Sequence, residues 1–210
     1  MALSGGCASL MACLHLIPRS RLVAATIISG GWSAARFGTK GMMFQNRVLH
    51  WTVQWSTWVV AALVEFMLGA ACRDPTRAKL YEMMNSQKVD AIKPEADRKA
   101  AEIARAKPEH KRLMVENIRE ALMNGCEASA WDLWLEAGKW PFELGEVDVG
   151  EGRLTMWHGT EDVNVPIGVA DQAAKEMKGV VYKRLEGDGH ISIAFARQEE
   201  VLTELLGRLS

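Results

Sequence analysis

Short apolar runs alternate with helix-like segments at both ends of the chain, and a long, more polar middle separates them. Gly5-Gly6 leads into residues 7–14, small and apolar throughout, which predicts a helix buried on most of its surface and ended by Pro18. Residues 21–28 (RLVAATII) form a continuous apolar, β-branched run stopped by Ser29-Gly30-Gly31. That pattern predicts a strand covered on both faces in a parallel sheet. The last third repeats the alternation. Residues 153–157 read as a strand, His158-Gly159-Thr160-Glu161-Asp162 as a tight loop, and 167–178 as a helix led in by Pro166. Residues 180–185 read as a second strand, Glu186-Gly187-Asp188-Gly189-His190 as its loop, and 193–209 as a closing amphipathic helix. Strand–helix–strand order implies right-handed parallel crossovers, with chemistry at the carboxyl ends of the strands, where Asp162 and His190 both fall.

The middle changes the picture from a plain α/β layer to a core with an insert. Residues 42–71 are aromatic and apolar with helical length, and 73–119 are strongly charged. Apolar residues there recur at three and four positions (Ile103, Ala106, Leu113, Val115, Ile118, Leu122), divided by Pro94 and Pro108 and closed by Gly125. The expected division is an α/β core of residues 1–37 and 146–210, with 38–145 as a helical lid or cap. Trp51, Trp55 and Trp58 recur at four and three and so share a face. Such a stripe is expected in a core, or lining an apolar substrate pocket in a lid. Glu127, Trp131, Asp132, Trp134 and Trp140-Pro141-Phe142 read as packing at the lid hinge.

Composition narrows the partners. A net charge of −1 over 210 residues gives no reason to expect nucleic acid. Cys7, Cys13, Cys72 and Cys126 are scattered without metal-ligand spacing, and His15, His50 and His110 lie on predicted helices without it. No metal or organic cofactor is expected, and idle thiols favour a reducing, cytoplasmic setting. Residues 8–17 are apolar but follow no basic segment, and no acidic residue precedes Glu65 although five basic ones do, a transit-peptide-like bias. Gln54 and Glu65 interrupt residues 51–71, which are expected to pack or to dock on a surface, with membrane association the weaker reading.

Acyl transfer by a serine needs a base within hydrogen-bond reach and an acid that fixes the base's tautomer. Asp162 and His190 follow successive strands, and Gly187 and Gly189 permit the turn that aims an imidazole inward. The segments RLTMWHGTEDVNVP and YKRLEGDGHISI resemble the last two strand–loop units of the α/β-hydrolase superfamily. The resemblance implies that Asp162 is the triad acid and His190 the general base. The opening ALSGGCASLMACLHLIPRSRLVAATIISGG is similar to that family's nucleophile elbow, buried helix and next strand, with Ala2 where the first glycine usually stands. It implies Ser4 as nucleophile, Gly6 as the closing small residue and the Gly5 N–H as one oxyanion donor. On the residues alone, Ser4 as a helix N-cap and Ser29 in a second Ser-Gly-Gly remain open. His158 is expected to shape the acid-loop turn.

The likeness also departs from the family. Three residues precede Ser4, so the strand entering the elbow and the early loop carrying a second oxyanion donor are expected to be missing. The strand at 21–28 is then expected to present an apolar edge open to homo- or hetero-association. The expectation is a partial α/β-hydrolase fold: about three parallel strands, flanking helices and a helical lid insert. The expected function is a serine hydrolase acting on an ester-like bond of a small apolar substrate, impaired by loss of the N-terminal half. The alternative is a non-catalytic truncated remnant that only binds a ligand or partner.

Overall fold

A computed structural model describes residues 1–86 and 89–208 of the chain. Among these residues four strands form one parallel sheet in chain order: β1 (Ala2–Leu3), β2 (Ala25–Ile28), β3 (Leu154–Gly159) and β4 (Val181–Leu185). The fourth strand corrects the expectation of about three. Ala2 and Leu3 pair with Ile27 and Ile28, and the Ser4 N–H continues the ladder to the Ile28 carbonyl at 3.0 Å. A short strand therefore does enter the Ser4 turn, and it, not β2, forms the edge of the sheet. β2 is half the expected length and buried at every position. Alternation along the strands splits the core: Ile27 and Met156 face a cluster with Met11, Leu14, Trp32 and Val169, whereas Ile28 and Trp157 meet Ile193 and Val201.

Helix α1 (Gly6–Leu16) lies against the sheet, but only Cys7, Met11 and Leu14 are buried. Cys13, His15 and Leu16 are exposed, so the expectation of burial on most sides fails; composition marks a helix as apolar without saying how many neighbours it has. Arg153 joins this layer to β3. Its guanidinium, 2 % exposed, donates to the carbonyls of Ile17 (2.8 Å), Leu22 (2.9 Å) and Asp148 (2.9 Å).

Among the described residues between β2 and β3 every regular element is helical, the α-helices being α2 (Ala34–Phe37), α3 (Phe44–Trp55), α4 (Thr57–Val64), α5 (Ala70–Cys72), α6 (Ala78–Ser86), α7 (Glu95–Ala106), α8 (Pro108–Leu122) and α9 (Glu127–Ala137). Ser56 breaks the expected long helix; its extended backbone caps α4, its hydroxyl accepting the Val59 N–H. A single π-helical turn, Glu65–Gly69, joins α4 to α5. Pro94 precedes α7 and Pro108 opens α8, as expected.

Two readings of the insert are overturned. Trp51, Trp55 and Trp58 are 66–77 % exposed, so the stripe is not core. Helix α7 is also rotated from the expected phase. Its buried face is Asp97, Ala100, Ala101 and Ala104, while Ile103 and Ala106 face outward. Small side chains admit a close neighbour, and that contact outweighed the larger apolar residue.

After β3 come α10 (Ile167–Glu176) and, beyond β4, α11 (Ser192–Ala196) and α12 (Gln198–Gly207). The expected single closing helix is thus two, parted at Arg197, and Leu209, its expected end, lies outside the described residues. Among the described residues no helix is long and apolar enough to cross a membrane.

Candidate active site

Ser4 sits where β1 ends and α1 begins, with φ +50°, a left-handed conformation uncommon for a residue with a side chain. The turn is held on both sides. The Ser4 carbonyl accepts the N–H groups of Cys7 (3.0 Å) and Gly31 (2.9 Å). A Cβ on Gly6 would stand 3.5 Å from the Ala2 side chain, so a small residue at each position lets strand and helix fold back this sharply.

His190 comes from the loop after β4. Its Nε2 stands 3.0 Å from Ser4 Oγ, and its Nδ1 is 2.8 Å from Asp162 Oδ2. With Nδ1 carrying the proton toward the carboxylate, Nε2 is free to accept from the serine hydroxyl. Asp162 is fixed by its own loop, its Oδ1 accepting the N–H groups of Asn164 and Val165, each at 2.8 Å. Asp162 thus bonds its own loop through one oxygen and the His190 ring through the other. His158, 1 % exposed at the end of β3, pairs through Nε2 with the Val165 carbonyl at 2.8 Å and lies 3.4 Å from Asp162 Oδ2. Burial lowers its pKa against the pull of Asp162; because a carbonyl only accepts, Nε2–H is the donor to Val165. It shapes the acid loop, as expected.

The three residues read from the sequence thus meet. The fourth, Gly5, lies at the start of α1. Ser29 shares the left-handed backbone (φ +47°) but is wholly buried, its hydroxyl without a partner, and so is closed to a substrate. Trp51, Trp55 and Trp58 do not join the constellation: they are exposed, and neither cleft bordering it is lined by them. One cleft, of about 410 Å³, runs beside Gly5 and Gly6 against Leu133, Leu135 and Glu136 of α9. The other, about 650 Å³, lies outside Asp162 and Val163 against Pro94 and Arg98.

Two carboxylates here were not anticipated. Asp97 of α7 is 2 % exposed and accepts three successive backbone N–H groups: His190 and Ser192 at 2.8 Å and Ile191 at 2.9 Å. Gly189 makes room for it, since a Cβ there would lie 2.5 Å from the carboxyl carbon. The available signal was the small-residue stripe, with Asp97 in phase with Ala100, Ala101 and Ala104. Glu136 of α9 reaches between Gly5 and Gly31; its Oε2 stands 2.6 Å from where a Cβ on Gly5 would be. Burial raises its pKa, and the nearby His190 opposes that shift. Burial, and then the charge of Glu136, push the Cys7 thiol well up. Among the described residues no cluster of three His, Cys, Asp or Glu side chains could hold a metal ion.

A serine on a strained strand-to-helix turn, with the acid and histidine on the loops after β3 and β4 of the same parallel sheet, is the arrangement of an α/β-hydrolase fold. The chain adopts that fold in partial form. An α/β-hydrolase fold protein from Nakamurella multipartita superposes with TM-score 0.53 at 16% identity, over 99% of this chain and 68% of its own. MGS-M2, an α/β-hydrolase enzyme from a Medee basin deep-sea metagenome library, gives 0.51 at 10% identity, over 99% and 62%. The chain thus spans about two thirds of the length of these structures. No family model and no curated protein matches it.

Proposed function

We propose that the protein is a serine hydrolase cleaving an ester-like bond in a small, largely apolar substrate. The observation that carries this reading is the continuous hydrogen-bond relay Ser4–His190–Asp162, at 3.0 and 2.8 Å, beginning on a left-handed serine. Ser4 Oγ attacks the carbonyl carbon as its proton passes to His190 Nε2, and Asp162 stabilises the imidazolium that forms. The tetrahedral adduct collapses, the C–O bond breaks, and the leaving alcohol takes the proton from Nε2. Water, deprotonated by the same nitrogen, then releases the acid and restores Ser4. The Gly5 N–H serves as one oxyanion donor; removing such a donor typically costs ~10²–10³ in rate, so a substrate needs it aimed at the developing charge.

The helical segment 38–145 acts as the cap over this site. The cleft of about 410 Å³ beside Gly5 falls in the size range of small-molecule sites and supports a short acyl group against Leu133 and Leu135. Labelling by a fluorophosphonate probe tests the reading. Ser4 is expected to be labelled and Ser4→Ala to be inert, with short p-nitrophenyl esters turned over only by the unsubstituted chain. Absence of labelling and of ester hydrolysis overturns it.

A further inference from the structure

We propose that Asp97 is a positioning residue for His190, through which the cap sets the imidazole against Ser4; this rests on the triad reading above. Asp97 belongs to α7, within the insert, yet all three of its hydrogen bonds given above run to the histidine loop, more than 90 positions away. One carboxylate oxygen takes the N–H of His190 itself, and the other those of Ile191 and Ser192. Hydrogen bonds from backbone N–H to a carboxylate are charge-assisted and directional, so three of them fix the backbone from which the ring hangs.

The other flank of the loop is held by the core. Arg197 Nε donates to Asp188 Oδ2 at 2.8 Å, the Glu161 N–H donates to the Asp188 carbonyl at 3.0 Å, and the Gly189 N–H to Ser192 Oγ at 2.9 Å. His190 therefore sits between a clamp from the sheet and a clamp from the cap. The core clamp grips at residue 188, two positions before the histidine, whereas Asp97 grips the histidine's own N–H. A shift of α7 away from the loop releases that N–H first, and a misplacement of about 1 Å at a reacting group is enough to cost ~10² in rate. The cap is thereby part of the catalytic apparatus as well as a wall of the substrate site.

The test compares Asp97→Asn, which keeps the shape and one acceptor oxygen, with Asp97→Ala. Both are expected to slow fluorophosphonate labelling of Ser4, about 10-fold for Asn and about 10²-fold for Ala, with kcat falling in parallel and KM changing less than about 3-fold. In a His190→Ala background Asp97→Asn is expected to cost less than about 2-fold, because a residue acting through the ring has nothing left to act on. A raised KM with unchanged labelling, or an equal loss in both backgrounds, overturns the proposal. If the unsubstituted chain is not labelled at all, the low-field proton resonance of the His190–Asp162 hydrogen bond decides. Its loss in Asp97→Asn supports the positioning role without the hydrolase reading, and an unchanged resonance overturns it.

Discussion

His190 Nε2 stands 3.0 Å from Ser4 Oγ although 186 positions of chain separate them. Two residues so distant in sequence meet because each follows a parallel strand of the same sheet, β1 and β4, and both strands end at the same side. If this contact is the reacting pair, Ser4→Ala and His190→Ala should each lower kcat for a short p-nitrophenyl ester by ~10³-fold or more, and the double substitution by no more than the worse single one. Additive losses, measured by steady-state hydrolysis, would show that the two residues do not act as a unit.

The partners of that pair were legible in the sequence for a physical reason. An acid loop and a histidine loop each need a fixed backbone turn, and such turns leave local marks: Gly159 and Pro166 around Asp162, Gly187 and Gly189 before His190. Gly187 does adopt φ +76°. What holds the loops from outside left no local mark. Asp97 sits in a run of charged residues that reads as a solvated helix face, and only its phase with three alanines separates it from Glu95 or Glu102. Trp51, Trp55 and Trp58 fail in the opposite direction. Their spacing does bring Trp51 and Trp55 into ring contact at 6.0 Å, but periodicity says which residues share a face and not whether that face is covered.

Glu136 gives a prediction with a definite sign. Burial raises its folded-state pKa above the ordinary 4.5, so the ionised carboxyl weighs against folding. Stability linked to this group is complete below pH 4.5 and is lost as pH rises through the folded-state value. Glu136→Gln should therefore raise the urea midpoint at pH 7 and leave it nearly unchanged at pH 4. An equal change at both values would mean that the carboxyl's charge is not what burial opposes.

His158 runs the other way. Burial lowers its pKa below the ordinary 6.5, so as pH falls below 6.5 the unfolded chain takes a proton that the folded ring refuses. The stability involved is present above pH 6.5 and is lost on acidification until the folded-state value is passed, with a limiting slope of about 1.4 kcal/mol per pH unit. His158→Gln offers an amide to the Val165 carbonyl without titrating, and should flatten the fall in stability between pH 7 and 5. A curve that keeps its full slope in this variant would place the proton uptake elsewhere.

Arg153 tests whether the elbow depends on its far support. Helix α1, which begins at Gly6 just past the serine turn, ends at Leu16, and the guanidinium of Arg153 holds the carbonyl of Ile17 directly beyond it and that of Leu22 on the way to β2. These acceptors have a buried cation as donor, and a hydrogen bond to a charged group contributes about 1.5–3 kcal/mol net of the exchange with water. Arg153→Met keeps the apolar stem but leaves those carbonyls unpaired, so a net loss of about 3 kcal/mol is expected, equivalent to roughly 6–12 °C in Tm for a chain of this size. Arg153→Lys retains the charge without the fork and should recover less than about half of it. Because α1 carries Gly5 and Gly6 at its other end, Ser4 labelling in Arg153→Met should remain unchanged well below the new Tm. A labelling rate that falls in proportion to stability would instead mean that the α1 anchor and the serine turn move together.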